Sequence, residues 1–418
     1  MLSVLDRVLK HIIKSGSLRV TDSAGGKHSY GDGRGPLIAF RLTDWLSEAG
    51  LAAYPEFYLG ENYMNGTLVI EEGTIADLLA LLISNLETTP YPAVVKWPYE
   101  IRRLFKRFQQ NNPVGKAKRN VAHHYDLSGA LYDLFLDRDR QYSCAYFEDA
   151  EQSLEDAQLA KKRHLAAKMQ IKPGMKVLDI GSGWGGLGLY LAEVCGAQVT
   201  GVTLSEEQYR LANERAQQRG VGEQVSFKLL DYRQLNERFD RIVSVGMFEH
   251  VGVGHYREFF DKVRLLLNED GVGVLHSINR SRGPGATSRW IAKYIFPGGY
   301  IPALSEVLPA IEKASLYITD VEILRLHYAE TLKEWGRRFN DHRKRANEIY
   351  DERFCRMWEF YLASSELAFR HSGLNNFQIQ LTRNQHALPL TRNYMIEEED
   401  RLRAIDSQLP RLKSIPAS

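Results

Sequence analysis

Apolar and polar residues between 154 and 280 alternate between helix-like and strand-like patterns. Helical patterns cover 154–169, 187–194, 206–219 and 256–267, and strand patterns cover 176–180, 198–202, 225–229, 239–245 and 273–276. Strands that alternate with helices form βαβ units, which predicts an α/β fold with a doubly wound, mostly parallel sheet. A ligand site is then expected at the carboxyl ends of the strands.

Residues 1–95 show a different pattern, typical of a small α+β unit. An amphipathic first helix precedes strand-like runs at 17–21, 37–42 and 67–70. The Thr74-Ile-Ala-Asp77 stretch then predicts a capped start for a largely buried helix.

The segment 96–119 changes character. It carries eight basic side chains against one acid, Glu100, with an apolar stripe that includes Leu104 and Phe105. A basic amphipathic helix is the kind of segment that lies on an anionic lipid surface. A linker helix docked on a neighbouring domain, with its basic face in solvent, explains the same pattern.

The remaining chain completes a prediction of four regions. An α/β domain at 120–395 follows the linker, with a loop-rich stretch at 282–309 and charged helical segments at about 329–347 and 350–371. The end of the chain, 396–418, is predicted to be a charged, frayed tail.

Composition excludes several classes of protein. The 418 residues are 44% hydrophobic and 25% charged, with a net charge of +2, so there is no general attraction to nucleic acid. Cys144, Cys195 and Cys355 show no paired spacing, which favours a reducing cytoplasm and argues against a structural zinc site. No apolar run is long enough to span a membrane, and the first helix does not resemble a signal peptide.

The most informative motif is the glycine-rich turn Val177-Leu-Asp-Ile-Gly-Ser-Gly-Trp-Gly-Gly186, between a strand and a helix. Such a turn lets a ligand approach the backbone and the first N–H groups of the helix. Its glycines also fit the dinucleotide pattern, but Thr203-Leu-Ser205 follows the second strand where a nicotinamide enzyme wants an acid. Asp179, just before the glycines, favours S-adenosylmethionine (SAM). A turn without a ligand is the remaining alternative.

Candidate chemical groups follow several strands. Asp231 and Tyr232 follow the third strand, Glu249 and His250 the fourth, and His276 lies at the end of the fifth. A carboxylate and an imidazole therefore converge on the cofactor edge of the sheet. Glu249 could instead be a helix cap or ion-pair residue, and His276 a hydrogen-bonded core histidine. His250 is expected to point elsewhere.

Cys144 is a further candidate, as a nucleophile, because a thiol can attack an electrophile when it is ionised. No helix N-terminus or basic residue adjoins it in sequence to lower its pKa. Taken alone, a small buried residue is the better interpretation.

Jointly, the motifs resemble the cyclopropane-fatty-acid synthase family, which includes the mycolic-acid methyltransferases. The match covers about 120–385. It comprises His124-Tyr-Asp-Leu, Gln141-Tyr-Ser-Cys-Ala-Tyr146, the glycine turn, Gly201-Val-Thr-Leu-Ser-Glu-Glu-Gln208, 240–252, Leu275-His-Ser-Ile278 and 293–299. The resemblance implies a Rossmann-like SAM-dependent methyltransferase domain preceded, at 1–95, by a lipid-binding domain. Small departures, Ser182 and the Ser128-Gly-Ala130 run, do not touch the proposed chemistry.

The resemblance also implies site residues. The implied cofactor-binding residues are Tyr142, Ser143, Gly181, Gly183, Thr203, Leu204, Ser205, Gln208, Asp231 and Tyr232. A bicarbonate ion is expected to be held by the catalytic residues Cys144, Glu249, His276, the backbone of Ile278, and Tyr328. No metal is expected.

The implied reaction converts the cis double bond of an unsaturated phospholipid acyl chain into a cyclopropane ring. SAM is the methyl donor, and the bicarbonate removes a proton from the resulting carbocation. The expected enzyme is cytoplasmic, peripheral at the inner membrane surface, and a homodimer.

Three alternatives stay open. A related enzyme could give a methyl-branched or methylene product, or the chain could be a lipid-binding protein without activity. A nucleic-acid methyltransferase is prompted only by the basic segment, and the Asp/Asn-Pro-Pro-aromatic motif for a target base is missing.

Overall fold

A computed structural model describes residues 3–89 and 129–408. The predicted basic linker 96–119 and the His124-Tyr-Asp-Leu motif lie outside the described residues. No helix in the described ranges is long and apolar enough to cross a membrane.

The described chain divides into two compact units, each made of separate stretches. Of the described residues, one unit comprises 3–89, 286–297 and 332–374, and the other comprises 129–285, 298–331 and 375–408. The four regions predicted from the sequence are contiguous, because periodicity along the chain does not report which distant segments pack together. The lipid-binding role of the first region stays a prediction.

The first unit contains a four-stranded sheet in the order β2-β1-β3-β4. Its elements from the N-terminal region are α1 (Ser3–Ile12), β1 (Ser17–Thr21), β2 (Lys27–Tyr30), β3 (Leu37–Leu42), α2 (Trp45–Ala53), α3 (Pro55–Asn65), β4 (Leu68–Glu72) and α4 (Ile75–Thr88). The predicted capping box is present: the Asp77 N–H donates to Thr74 Oγ1 and the Thr74 N–H donates to Asp77 Oδ2. The α+β prediction for this region is therefore confirmed.

The second unit is built on a seven-stranded sheet. Its elements up to β9 are α5 (Gly129–Tyr132), α6 (Leu154–Met169), β5 (Lys176–Ile180), α7 (Gly186–Cys195), β6 (Gln198–Thr203), α8 (Glu206–Gln218), β7 (Val225–Leu229), β8 (Phe239–Val245), α9 (Tyr256–Leu266) and β9 (Leu267–Arg280). The α/β prediction is confirmed, because β9, β8, β5, β6 and β7 are neighbouring parallel strands. The fifth predicted strand, 273–276, is the centre of the longer β9.

The rest of the chain completes both units. Its elements are α10 (Arg289–Tyr294), α11 (Leu304–Lys313), β10 (Tyr317–Ile323), α12 (His327–Asp341), α13 (Arg343–Ile349), α14 (Glu352–His371), β11 (Leu374–Thr382) and α15 (Asn393–Asp406). The antiparallel pair β10–β11 extends the sheet beyond β9.

The stretch 282–309 is loop-rich as predicted, with the short α10 and the start of α11 inside it. One sequence prediction is wrong in this part of the chain. The predicted frayed tail begins within α15, where Leu402 is fully buried against the core and Asp406 forms an ion pair with Arg163. Half of the residues in this helix are charged, so its pattern showed little sign that a few of its apolar residues are buried.

Candidate active site

An open pocket lies at the carboxyl ends of the parallel strands, where a doubly wound sheet places its ligand. Its empty volume is about 1310 Å³, including open solvent at its mouth. Four short stretches dominate its wall: 140–143, 179–184, 202–204 and 230–233. The size and position suit a nucleotide-like cofactor.

The glycine turn between β5 and α7 forms one wall. Gly181 and Gly183 have φ values of +84° and +53°, which side-chain-bearing residues rarely adopt. A Cβ atom on Gly183 would meet no atom within 4 Å, so any side chain there would extend into open space. Below the turn, Arg215 donates hydrogen bonds to the carbonyl oxygen of Trp184 and to Asp139, which fixes the loop.

The end of β6 forms a local hydrogen-bonded turn. Thr203 Oγ1 lies 2.7 Å from Gln208 Oε1 and accepts a hydrogen bond from the Ser205 N–H. Ser205 caps α8 by accepting from the Gln208 N–H at 3.3 Å. Thr203, Leu204 and Gln208 line the pocket, whereas Ser205 does not. The predicted cofactor contact of Ser205 therefore has a structural alternative, as a helix cap.

Asp231 and Tyr232 line the pocket beyond β7, and their predicted contact with the cofactor stays a prediction. Arg233 donates to both Asp231 carboxylate oxygens, with Nε to Oδ1 at 2.9 Å and Nη2 to Oδ2 at 2.7 Å. The Arg233 guanidinium also lies 5.8 Å from the centre of the Tyr232 ring. The acid is thus held in one orientation at the mouth of the pocket.

Tyr142 and Ser143 complete the predicted lining. The Tyr142 ring packs edge-on against Tyr132 and Phe135. Ser143 Oγ accepts a hydrogen bond from the buried Lys161 ammonium at 2.7 Å. Lys161, which no sequence motif marks as a site residue, also lines the pocket.

Asp179 provides a test of whether a SAM-type cofactor fits. Its Oδ2 atom is buried and has no hydrogen-bond partner among the described residues, although the side chain faces the pocket. Burial raises the pKa of this carboxyl to about 7. A cationic group in the pocket would satisfy the orphaned oxygen, and SAM carries an ammonium and a sulfonium. The residues present therefore fit the cofactor.

A second group of predicted residues lies at the ends of β8 and β9. These strands pair in parallel with Val245 opposite His276, and the Ile278 N–H donates to Glu249 Oε1 at 2.6 Å. The structure thus brings Glu249 together with Ile278. The Ile278 N–H is used by this carboxylate, so its predicted contact with bicarbonate stays a prediction.

In both ionisable side chains of this group, burial shifts the pKa in the direction that favours the uncharged form. Burial raises the pKa of Glu249 to about 7, and its Oε2 has no hydrogen-bond partner in the described structure. Burial, aided by the nearby Lys161 and Lys168 charges, lowers the pKa of His276 to about 3. Asn376 and Gln378 of β11 place side-chain amides 3.3 and 3.2 Å from the two His276 ring nitrogens. The imidazole is therefore neutral and fixed at both ends.

Cys144 and Tyr328 are both buried in this unit. The Cys144 thiol is buried, which raises its pKa well above the usual range and keeps it protonated. The adjacent Ala145 N–H donates to Thr331 Oγ1 at 3.0 Å, one helical turn beyond the buried Tyr328. Cys144 is thus next in sequence to a residue hydrogen-bonded to the α12 turn that follows Tyr328, and its raised pKa favours the neutral thiol over the nucleophilic thiolate.

Sequence reasoning missed several site residues. His250 was expected to point away, but it lines the pocket, whereas Glu249 does not. Burial lowers the pKa of His250 to about 4. Lys161 was missed because α6 is rich in charges that normally face solvent, yet most of this helix is buried. In the ranges 3–89 and 129–408, no cluster of His, Cys, Asp or Glu could hold a metal.

Comparison with known proteins identifies the family. The model of the mycolic acid cyclopropane synthetase family matches residues 114–379. The chain belongs to this family. It is therefore a SAM-dependent methyltransferase, and the resemblance inferred from the motifs is confirmed.

Three relatives of the family illustrate the match. The cyclopropane-fatty-acyl-phospholipid synthase of Escherichia coli K12 is 42% identical over 260 residues, 62% of this chain and 66% of that enzyme. Tuberculostearic acid methyltransferase UfaA1 of Mycobacterium tuberculosis is 34% identical over 394 residues, 91% of each chain. The structure of mycolic acid cyclopropane synthase CmaA1 complexed with SAH and CTAB is 32% identical, with a TM-score of 0.60, covering 63% of this chain and 97% of that one. The fold is thus that of the family's methyltransferase domain.

Proposed function

We propose that the chain is a cyclopropane-fatty-acyl-phospholipid synthase, which adds a CH₂ group derived from SAM across the cis double bond of an unsaturated phospholipid acyl chain. The observation that carries the proposal is the placement, along one sheet edge, of an open cofactor pocket beside a buried group of near-neutral proton-handling residues. The similarity to the E. coli synthase supports the phospholipid substrate.

The chemistry sets what the protein must provide. When bound, SAM supplies an electrophilic methyl group. A new carbon–carbon bond forms as the sulfur–methyl bond breaks, and positive charge develops on the acyl chain. Loss of a proton from the added methyl group lets its carbon close the ring, so the lipid gains one CH₂. The protein must therefore hold a base, stabilise the cation and exclude water.

Glu249, His276 and Cys144 are suited to a site for proton removal because none of them carries a full charge near pH 7. The orphaned Glu249 Oε2 fits a hydrogen-bonding guest, and a carboxyl with a pKa of about 7 can donate or accept. We propose that these residues, the Ile278 backbone and Tyr328 orient a bicarbonate ion, which supplies the base when bound. The Tyr328 ring would stabilise the cation by about 1–2 kcal/mol through cation–π attraction.

Access to a phospholipid requires contact with the membrane surface. Trp45 and Leu46, adjacent at the start of α2, are 65% and 63% exposed. Exposed aromatic and leucine side chains are typical of segments that insert shallowly into a lipid interface. We propose a peripheral, homodimeric enzyme at the cytoplasmic face of the inner membrane, with the basic segment 96–119 contributing attraction to anionic lipids.

The membrane part of the proposal is tested by vesicle sedimentation. Replacing both Trp45 and Leu46 by Ser removes apolar area and should lower binding to anionic vesicles severalfold. Ile396→Ser is the matched control, because Ile396 is also exposed, at 64%, but lies in α15. Equal losses for the two variants, or none for either, would argue against a docking role for α2.

A second candidate function has its own support. UfaA1, named as a tuberculostearic acid methyltransferase, matches 91% of this chain, including residues outside the methyltransferase domain. An enzyme of that kind would methylate the same double bond. A 1,2-hydride shift would move the cation to the methylated carbon, and loss of a proton from the methyl group would leave a methylene group. A methyl branch would need a further reduction by a separate hydride donor.

Lipid analysis of cells that express the chain distinguishes the products. A cyclopropane and a methylene lipid both gain one CH₂ in the mass spectrum, so the mass identifies methyl transfer only. High-field ring protons in the NMR spectrum would support the synthase, and vinylidene protons or a methyl branch would support the second candidate. Purified enzyme in degassed buffer should regain activity when bicarbonate is added; activity that stays the same would argue against the bicarbonate part.

A further inference from the structure

Lys161 is a buried cation whose charge is not balanced by a nearby carboxylate. It lies on α6, is fully buried, and lines the cofactor pocket. Its ammonium donates to Gln141 Oε1 at 2.8 Å and to Ser143 Oγ at 2.7 Å. Both partners are neutral. Within 3–89 and 129–408, no carboxylate oxygen lies within ion-pair distance of Lys161 Nζ.

The carboxylates whose charges act on Lys161, Asp137 and Asp139, are already engaged by other partners. Asp139 forms ion pairs with Lys162 and Arg215, and Asp137 accepts hydrogen bonds from the backbone N–H groups of Asp139 and Gln141. Burying an ammonium without an anion costs several kcal/mol. Burial accordingly lowers the pKa of Lys161 to about 8. A ligand anion in the pocket would relieve this cost.

The donors at this point are arranged to receive an anion. An ammonium has three N–H donors, and two of those of Lys161 are used, which leaves one for the pocket. Ser143 Oγ accepts from Lys161, so its own O–H remains available as a donor on the pocket side. Asp179, with its orphaned Oδ2, lines the same pocket and suits a cation instead.

We infer that Lys161 binds the carboxylate at the amino-acid end of the cofactor, directly and through the Ser143 hydroxyl. This inference rests on the presence of a SAM-type cofactor in the pocket. Bicarbonate is a second source of the same chemistry, but Lys161 lines the cofactor pocket and Glu249 and His276 do not. The cofactor carboxylate is therefore the favoured partner.

Calorimetric titration of the full chain with two ligands tests this role. S-adenosylhomocysteine carries the amino-acid end, whereas 5′-methylthioadenosine has the same nucleoside and thioether without it. Lys161→Met should weaken S-adenosylhomocysteine binding by about tenfold to a hundredfold, the range for a charge-assisted hydrogen bond. Binding of 5′-methylthioadenosine should change little, so the loss is specific to the carboxylate-bearing ligand.

Two further variants complete the design. Lys228→Met removes a half-exposed lysine, which pairs with Glu237 and does not line the pocket, and it should bind both ligands like the parent. Lys161→Gln keeps a donor for Ser143 while removing the charge, and it gives the same comparison if the methionine variant fails to fold.

The outcomes separate the possibilities. Equal losses for both ligands would show that Lys161 only supports the Gln141–Ser143 segment, and unchanged binding of both would also overturn the inference. Normal cofactor affinity with a raised bicarbonate requirement would assign the lysine to bicarbonate and overturn it as well. If 5′-methylthioadenosine does not bind the parent at all, the assignment of the pocket to this cofactor fails first.

Discussion

The turn after β5 and the turn after β8 follow neighbouring parallel strands, yet they are built in opposite ways. The β5 turn has glycines of positive φ and open space beside Gly183, and the buried ammonium of Lys161, on α6, lines the same pocket. The β8 turn ends in Glu249, which is buried and held by the Ile278 N–H, with the neutral His276 on the adjacent strand. One region is open and charged, and the other is closed and nearly neutral.

The difference separates two tasks of a methyl transfer to an alkene. A charged cofactor needs space and charged partners, which the β5 side supplies. Removal of a proton from a carbocation needs a base that is not held in an ion pair and a site that excludes water. The buried, nearly uncharged residues on the β8 side meet both requirements. The Glu249 and Gly183 variants each change one of the two regions and leave the other in place.

The largest effect is expected from Glu249→Gln. The amide keeps the shape of the side chain but cannot accept from the Ile278 N–H and exchange a proton at the same oxygen, so kcat should fall about a hundredfold or more. Titration calorimetry should give cofactor affinity close to that of the parent, because Glu249 does not line the pocket.

Glu306→Gln is the matched control for that variant. Glu306 is a partly buried carboxylate that accepts from the Tyr300 hydroxyl at 2.7 Å, so its replacement should lower stability more than turnover. If Glu249→Gln turns over at the parental rate, Glu249 takes no part in the reaction.

Gly183→Val should act on the other region. The side chain would occupy the pocket, so S-adenosylhomocysteine affinity should fall steeply in a direct titration. Gly174→Val shares the strain of a positive φ and also meets no atom within 4 Å, but Gly174 does not line the pocket. Both variants should lose comparable stability, and only the first should lose the cofactor. Unchanged affinity in Gly183→Val would show that the cofactor does not bind beside this turn.

A third prediction concerns stability and pH. The pKa of Glu249 rises from 4.5 to about 7 in the fold, so the folded chain binds more protons between these values and its stability falls as pH rises through the window. Glu249→Gln lacks this group and should gain roughly 3 kcal/mol on the parent between about pH 4.5 and pH 7.5. Urea unfolding of both proteins at the two ends of that range measures the difference. A constant difference would mean that Glu249 is not held close to neutral.

The smallest effect is expected from Ser205→Ala. Ser205 caps α8 and does not line the pocket, so the variant should lose about 1 kcal/mol of stability with little change in cofactor affinity. Thr203→Val, at a residue that does line the pocket, provides the comparison. A larger loss of affinity in Ser205→Ala than in Thr203→Val would restore Ser205 as a cofactor contact.

The sequence predicted the parallel core and the open region well, because both depend on local signals. Strand and helix periods locate β5 to β8, and the glycine spacing marks the turn after β5. The closed region was predicted only in part. Glu249 and His276 follow from their positions at strand ends, but the Glu249–Ile278 hydrogen bond depends on the register of β8 against β9, which no local pattern reports.

The partners of His276 show why long-range features were missed. Strand β11 alternates polar and apolar residues, which normally predicts one face in solvent. Here Asn376, Gln378 and Gln380 are buried along with the apolar face, because the polar side chains find partners inside the unit. The same reason applies to Lys161: its burial depends on Gln141 and Ser143, some twenty residues away.

Each unit is built from separate stretches of the chain, and this limits which parts can be removed or exchanged. In the first unit, Trp290 and Phe360 pack edge-on with ring centres 4.7 Å apart, and both face Gly60 so closely that even a methyl group there would clash. A chain shortened at its N-terminus would keep the two aromatic rings but lose the helix that covers them. Exchange of this unit between relatives would therefore require the exchange of three chain segments that pack together. We do not expect the N-terminal segment alone to be exchanged as an independent domain.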